Sequence, residues 1–123
     1  MLKKLGMPHL LASALMFGAM SAMAGGYVKG QVEFIRTHDA TAQPAWAPPR
    51  FWFTLKGVTQ AGTCTKWVSG TVMFVANDKQ ALTTVMTAQA TGQEIAVAFD
   101  ETVLTNTHCS ALYLTIGNPA PAY

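Results

Sequence analysis

No excess of basic charge survives outside the first 24 residues of this chain. The formal net charge of +2 is carried by Lys3 and Lys4. Gly25–Tyr123 holds six basic residues (Lys29, Arg36, Arg50, Lys56, Lys66, Lys79) and six acidic ones (Glu33, Asp39, Asp78, Glu94, Asp100, Glu101). A neutral chain has no surplus of cations with which to displace the counterions of a nucleic acid, so nucleic-acid binding loses its electrostatic basis. Methionine is equally uneven. Five of the seven lie in the first 24 residues, which removes a Met-rich metal box. The two histidines beyond that point, His38 and His108, have no ligand spacing with each other or with a cysteine pair. No cofactor motif is present.

Catalytic patterns are also missing. There is no Gly-rich phosphate loop, no nucleophile elbow and no triad spacing. Asp100 and Glu101 are neighbours at the end of a strand-like run. Adjacent side chains on a strand point to opposite faces, so they do not form an acid–base pair. These absences favour a binding function over an enzymatic one, and no catalytic residue is assigned.

The N-terminus carries the most specific local signal. Lys3 and Lys4 precede a short apolar run from Leu10 to Met20, and Ala22-Met23-Ala24 forms a small-residue box before Gly25-Gly26. This is the layout of an export signal cleaved after Ala24. The run is too short to span a bilayer comfortably, so no membrane span is expected. The expected organisation is a leader at 1–24 and a single domain at 25–123, exported to the periplasm or fully secreted. Two cysteines remain there, Cys64 and Cys109. An oxidising compartment favours one disulfide between them, with two free thiols or a metal pair as alternatives.

Periodicity outlines the domain. In 27–37, Val32 and Phe34 are expected on one face and Gln31, Glu33 and Ile35 on the other, with Ile35 breaking the pattern. Residues 38–49 contain Pro44, Pro48 and Pro49 and make a long connection. The run 50–58 alternates Phe51, Phe53 and Leu55, assigned to the core, against Trp52, Thr54 and Lys56. Residues 66–76 form a β-rich run broken or bulged at Ser69-Gly70. In 77–92 the period becomes helical. Asn77 or Asp78 suits the N-cap, Gly92 suits the C-terminus, and Ala81, Leu82, Val85, Met86 and Gln89 share one side. Residues 93–100 form a further strand, 101–108 a polar turn, and 109–117 a last strand with Leu112, Leu114 and Ile116 on one face. The resulting order is a mainly β chain with one helix between strands three and four. That is the order of a five-stranded OB-fold barrel, with a small sandwich as the competing arrangement.

The stretch "AWAPPRFWF", residues 45–53, concentrates the aromatic question. Trp52 points away from the expected core, with three possible fates: cover by the Pro-rich loop through Trp46, burial at a subunit interface, or a stacking plane for a sugar. Trp67, three residues after Cys64, is expected against the disulfide.

The pieces Phe53–Gly57, Ala61–Cys64, Gln80-Ala81-Leu82 and Thr91-Gly92-Gln93 lie within "FWFTLKGVTQAGTC" and "ANDKQALTTVMTAQATGQEIAVAFD". Together with the cysteine-led closing strand, they resemble the B subunits of AB5 toxins, in particular the subtilase-cytotoxin and pertussis-like ones. The resemblance covers about residues 27–117. It implies an OB-fold, a ring-shaped homopentamer, cell-surface glycan binding and a separate catalytic A subunit as partner. The sugar site of that family lies near the first strand, where a serine precedes a glycine. Lys29-Gly30 occupies the matching place without the serine, and Lys29 would there meet an anionic sugar. Arg36 adds a guanidinium able to grip a carboxylate through two parallel hydrogen bonds. The candidate ligand contacts are thus Lys29, Arg36 and Trp52. The rival reading is a monomeric periplasmic or secreted domain that binds a protein as an accessory factor or inhibitor.

Overall fold

The computed structural model describes residues 25–122, and the leader expected at 1–24 lies outside them. The elements are β1 (Gly25–Arg36), a short 3-10 turn (Pro44–Trp46), β2 (Arg50–Leu55), β3 (Phe74–Asn77), α1 (Lys79–Thr91), β4 (Glu94–Thr105) and β5 (His108–Gly117). The strands close into a barrel in the order β1-β2-β3-β5-β4. The expected architecture is therefore present: five strands in a ring, with the one helix between strands three and four.

β1 closes the ring because it is long enough to serve two neighbours. Its first half, Gly25–Gln31, pairs antiparallel with Glu94–Asp100 of β4. Its second half, Val32–Arg36, pairs with Trp52–Leu55 of β2. The register slips between Val32 and Ile35, and such a bulge bends a strand from one sheet into the next. It also explains the breach in the alternation. Val32 and Ile35 both face the core, while Phe34, expected beside Val32, is turned out.

The interior is apolar and continuous. Phe51, Phe53 and Leu55 of β2 are fully buried with Phe74, Ile95 and Val97, and the rings of Phe51, Phe53, Phe74 and Phe99 follow one another at centroid spacings near 6 Å. α1 plugs this core with Ala81, Leu82, Val85 and Ala88. Its start is set by Asp78, whose carboxylate accepts a hydrogen bond from the Ala81 N–H at 3.2 Å. Its end is set by Gly92 at φ 70°, a conformation that costs a glycine little. Met86 and Gln89, expected on the buried side, are exposed. Met86 sits about 100° round the helix from Val85, past the edge of the stripe.

Two further expectations change. Residues 101–108 are not a polar turn. β4 continues to Thr105 and returns as β5 through a two-residue turn, Asn106-Thr107, with φ 49° and 70°. Asn favours that left-handed geometry, and the β-branched residues of 102–105 suit a strand. In β5, Ala98 faces Tyr113 while Phe99 faces Ala111. Leu112 is therefore the extra residue of a bulge. It is turned outward, and Ala111 joins Leu114 and Ile116 on the core side. The β-rich run 66–76 keeps only Phe74–Asn77 as strand. The Lys66–Val72 bridge closes a turn in which the Gly70 N–H donates to the Trp67 carbonyl, with Gly70 at φ 85°. The break thus falls at Ser69-Gly70, as the sequence suggests.

Cys64 and Cys109 form a disulfide with a Cα–Cα distance of 5.5 Å. It ties the loop after β2 to the start of β5. Beside it, the Glu101 carboxylate lies over Gly62, where a Cβ would collide with it, and accepts the Thr63 N–H.

Candidate functional site

The outer face of β2 holds a second, smaller apolar cluster. Trp52 is the centre of it and is only 3% exposed. Met73 and Val75 flank it from β3 and the segment before it, while Trp46 and Trp67 cover it from two loops. The cover over Trp52 is therefore the chain's own. Trp67 is 5.1 Å from Trp52 between ring centroids and packs with this cluster rather than with the disulfide.

Arg36 is placed by strand register. It lies opposite Trp52 in the β1–β2 pairing, and its guanidinium carbon sits 5.2 Å from the Trp52 ring and 5.3 Å from the Trp67 ring. Both distances fall within cation–π range. The β1 bulge puts Phe34 on the same side, where its ring meets Trp67 edge-on at 5.2 Å. Phe34 is 42% exposed, and Val68, at the tip of the turn carrying Trp67, is 89% exposed. Arg36 is an exposed residue. Among the described residues it makes no side-chain hydrogen bond. Contact with aromatic rings does not use up the five N–H donors of a guanidinium, so they remain free for a ligand.

A polar network holds the turn of Trp67 against the barrel. The Glu33 carboxylate accepts hydrogen bonds from the Thr54 hydroxyl at 3.0 Å and the Thr71 hydroxyl at 2.8 Å. Thr54 Oγ1 accepts the Phe34 N–H at 3.3 Å, and Thr71 is bonded to Ser69 at 2.6 Å. Thr54 and Thr71 are buried, so these bonds satisfy groups that would otherwise be costly to bury. The network links the β1 bulge, β2 and the 67–71 turn, and these carry Phe34, Arg36 and Trp67.

The loop of Trp46 has separate anchors. The Ala45 carbonyl accepts hydrogen bonds from Arg50 Nη1 at 2.6 Å and Asn106 Nδ2 at 2.7 Å. The Trp46 ring stacks on His38 at 5.6 Å and tilts against His108 at 5.9 Å. His108, hydrogen-bonded to the Thr65 hydroxyl, has its pKa lowered by partial burial.

Of the three residues singled out in the sequence, Arg36 and Trp52 come together and Lys29 does not. Lys29 is seven positions earlier on β1, roughly 20 Å along the strand. Its ammonium donates to the Ala120 carbonyl at 3.3 Å, and the Ala120 N–H donates to the Glu94 carboxylate at 3.2 Å. Lys29 and Glu94 thus clamp the C-terminal tail, with Ala120 buried between them. Phe34, Trp67 and Glu33 were not marked as site residues. No local pattern links position 36 with position 67, because their contact depends on three elements packing together.

The described residues contain no group of three His, Cys, Asp or Glu placed to hold a metal ion, and no helix among them is long and apolar enough to cross a membrane. The class defined by strand order and helix position is an OB-fold-like closed barrel. Comparison with protein-family models, curated proteins and solved structures finds no match for this chain.

Proposed function

We propose that this protein is an exported, non-catalytic binding module that recognises a carboxylated ligand, an acidic cell-surface glycan, through Arg36. One observation carries the reading. The Arg36 guanidinium rests against two adjacent indole rings, 5.2 Å from one and 5.3 Å from the other, on an exposed residue with no side-chain hydrogen bond among the described residues. An arginine fixed in that way has lost much of its conformational freedom before a ligand arrives, so a carboxylate gains two charge-assisted hydrogen bonds at reduced entropic cost. Phe34 and Val68 offer apolar surface beside it for the C–H face of a sugar ring. Trp52 supports the site from beneath rather than touching the ligand. The ring of five copies and the catalytic partner subunit implied by the family resemblance are not required for this reading.

The test is binding to an array of glycans bearing carboxylates, alongside the same glycans as methyl esters. Wild-type protein binds the acids and not the esters. Arg36→Ala weakens binding by about 10-fold to about 150-fold, matching the loss of at least one charged hydrogen bond of about 1.5–3 kcal/mol. Binding that ignores esterification, or an Arg36→Ala protein that binds like wild type, refutes the proposal.

A further inference from the structure

β5 has a bonded neighbour on only one side along most of its length. From Ala111 to Gly117 it pairs with β4. On the other side β3 reaches it at Ser110 alone, through Val75. Beyond that point the backbone groups on the outer edge of β5 have no main-chain partner among the described residues. The chain leaves β3 at Asn77 and turns into α1. The edge therefore opens onto a cleft of about 480 Å³ between β5 and α1, lined by Gln80, Ala81, Thr84, Leu112 and Tyr113 among others.

An open strand edge templates pairing with another chain, and natural edges are guarded by charge or proline. β5 has neither: its sequence, HCSALYLTIG, contains no Asp, Glu, Lys, Arg or Pro. The bulge at Leu112 turns an apolar side chain outward. Leu112 is 49% exposed beside Tyr113 at 51%, whose hydroxyl is bonded to that of Tyr27.

The charge pattern selects the occupant. A partner attracted by charge would need a charge on this edge. The cleft offers only Asp78, which is already engaged in capping α1. A second copy needs no such charge. In antiparallel pairing about a two-fold axis each β5 meets the same sequence reversed, and a strand without charges meets no like charge. Residues 25–123 carry six positive and six negative side chains, so no net field holds two copies apart.

We propose that the β5 edge is a homodimer interface, in which β5 of two copies pairs antiparallel and joins their β1–β4–β5 segments into one six-stranded sheet covering Leu112 and Tyr113. The experiment is sedimentation of the exported chain from about 1 to about 200 µM, together with amide hydrogen exchange at both ends of that range. Wild type reaches the mass of two chains, and the amides of 111–117 slow by about tenfold at high concentration. Leu112→Lys, which sets a like charge against its copy, stays monomeric with an unchanged near-UV spectrum. Val103→Lys, at a comparably exposed apolar position on β4, still dimerises. A monomer throughout overturns the proposal. So does a dimeric Leu112→Lys, or an oligomer of any size whose β5 amides exchange independently of concentration.

Discussion

Replacing Trp52 with alanine should destabilise the protein by about 3–5 kcal/mol. A tryptophan removes some 150–250 Å² from water. At about 25 cal/mol per Å² that is roughly 4–6 kcal/mol for the whole side chain, and the 3% exposure of Trp52 means almost all of it is realised. Alanine recovers a small part. The cavity left under Trp46 and Trp67 collapses only in part, because Trp67 is held by its turn and Trp46 by the bonds at Ala45. Arg36 also loses one of its two indole partners, worth about 0.5–1 kcal/mol at an exposed site. The assay is urea denaturation with the disulfide intact, followed by far-UV circular dichroism. For a domain of this size the loss corresponds to a melting temperature lower by about 12–40 °C. Trp67→Ala, which removes a partly exposed ring, should cost clearly less. A Trp52→Ala loss below about 1 kcal/mol would show that the indole is not enclosed in solution, and the account of the outer cluster would fall with it.

Two other perturbations test separate parts of the structure. Removing the disulfide as Cys64→Ala with Cys109→Ala frees a loop with a sequence separation of 45, which on the chain-entropy model costs about 4 kcal/mol; an unchanged urea midpoint would mean that the reduced chain is already restrained. His108 predicts a pH dependence. Burial holds its pKa below the ordinary 6.5, so on acidification the unfolded chain binds the proton first. Stability is then full above about pH 6.5 and falls between that value and the folded pKa. Asp39 and Asp100, with pKa values lowered from 3.8 by hydrogen bonds from Thr41 and Thr102, act only in the more acidic range below that value. The measurement is the urea midpoint at about pH 7.5 and about pH 5.5. His108→Gln should flatten the difference, and an equal slope in the variant would assign it elsewhere.

Much of the fold can be read locally. The alternation of Phe51, Phe53 and Leu55 marks a core strand because a pleated backbone repeats every two residues. Asp78 and Gly92 bound the helix because orphaned backbone groups and a left-handed residue are needed at its ends. Where the chain must bend between two partners, local reading fails. The bulge between Val32 and Ile35 exists because β1 pairs with both β2 and β4, and it reverses which side Phe34 occupies. The bulge at Leu112 does the same in β5. Parity along a strand holds only while its register is undisturbed, and register is a property of the pair.

The candidate site divides in the same way. Arg36 and Trp52 could each be singled out from residue type and alternation. That they stand opposite one another, with Trp67 and Phe34 beside them, follows from register and from a turn anchored on Glu33. Lys29 shares a strand with Arg36, and its partners are instead Ala120 and, through it, Glu94. Periodicity, caps and cysteine number act over a few residues or over composition, and they set the elements, their order and the disulfide pair. What encloses Trp52, where Arg36 is held and which strand edge stays open depend on contacts between segments distant in the chain, and those exist only once the barrel has closed.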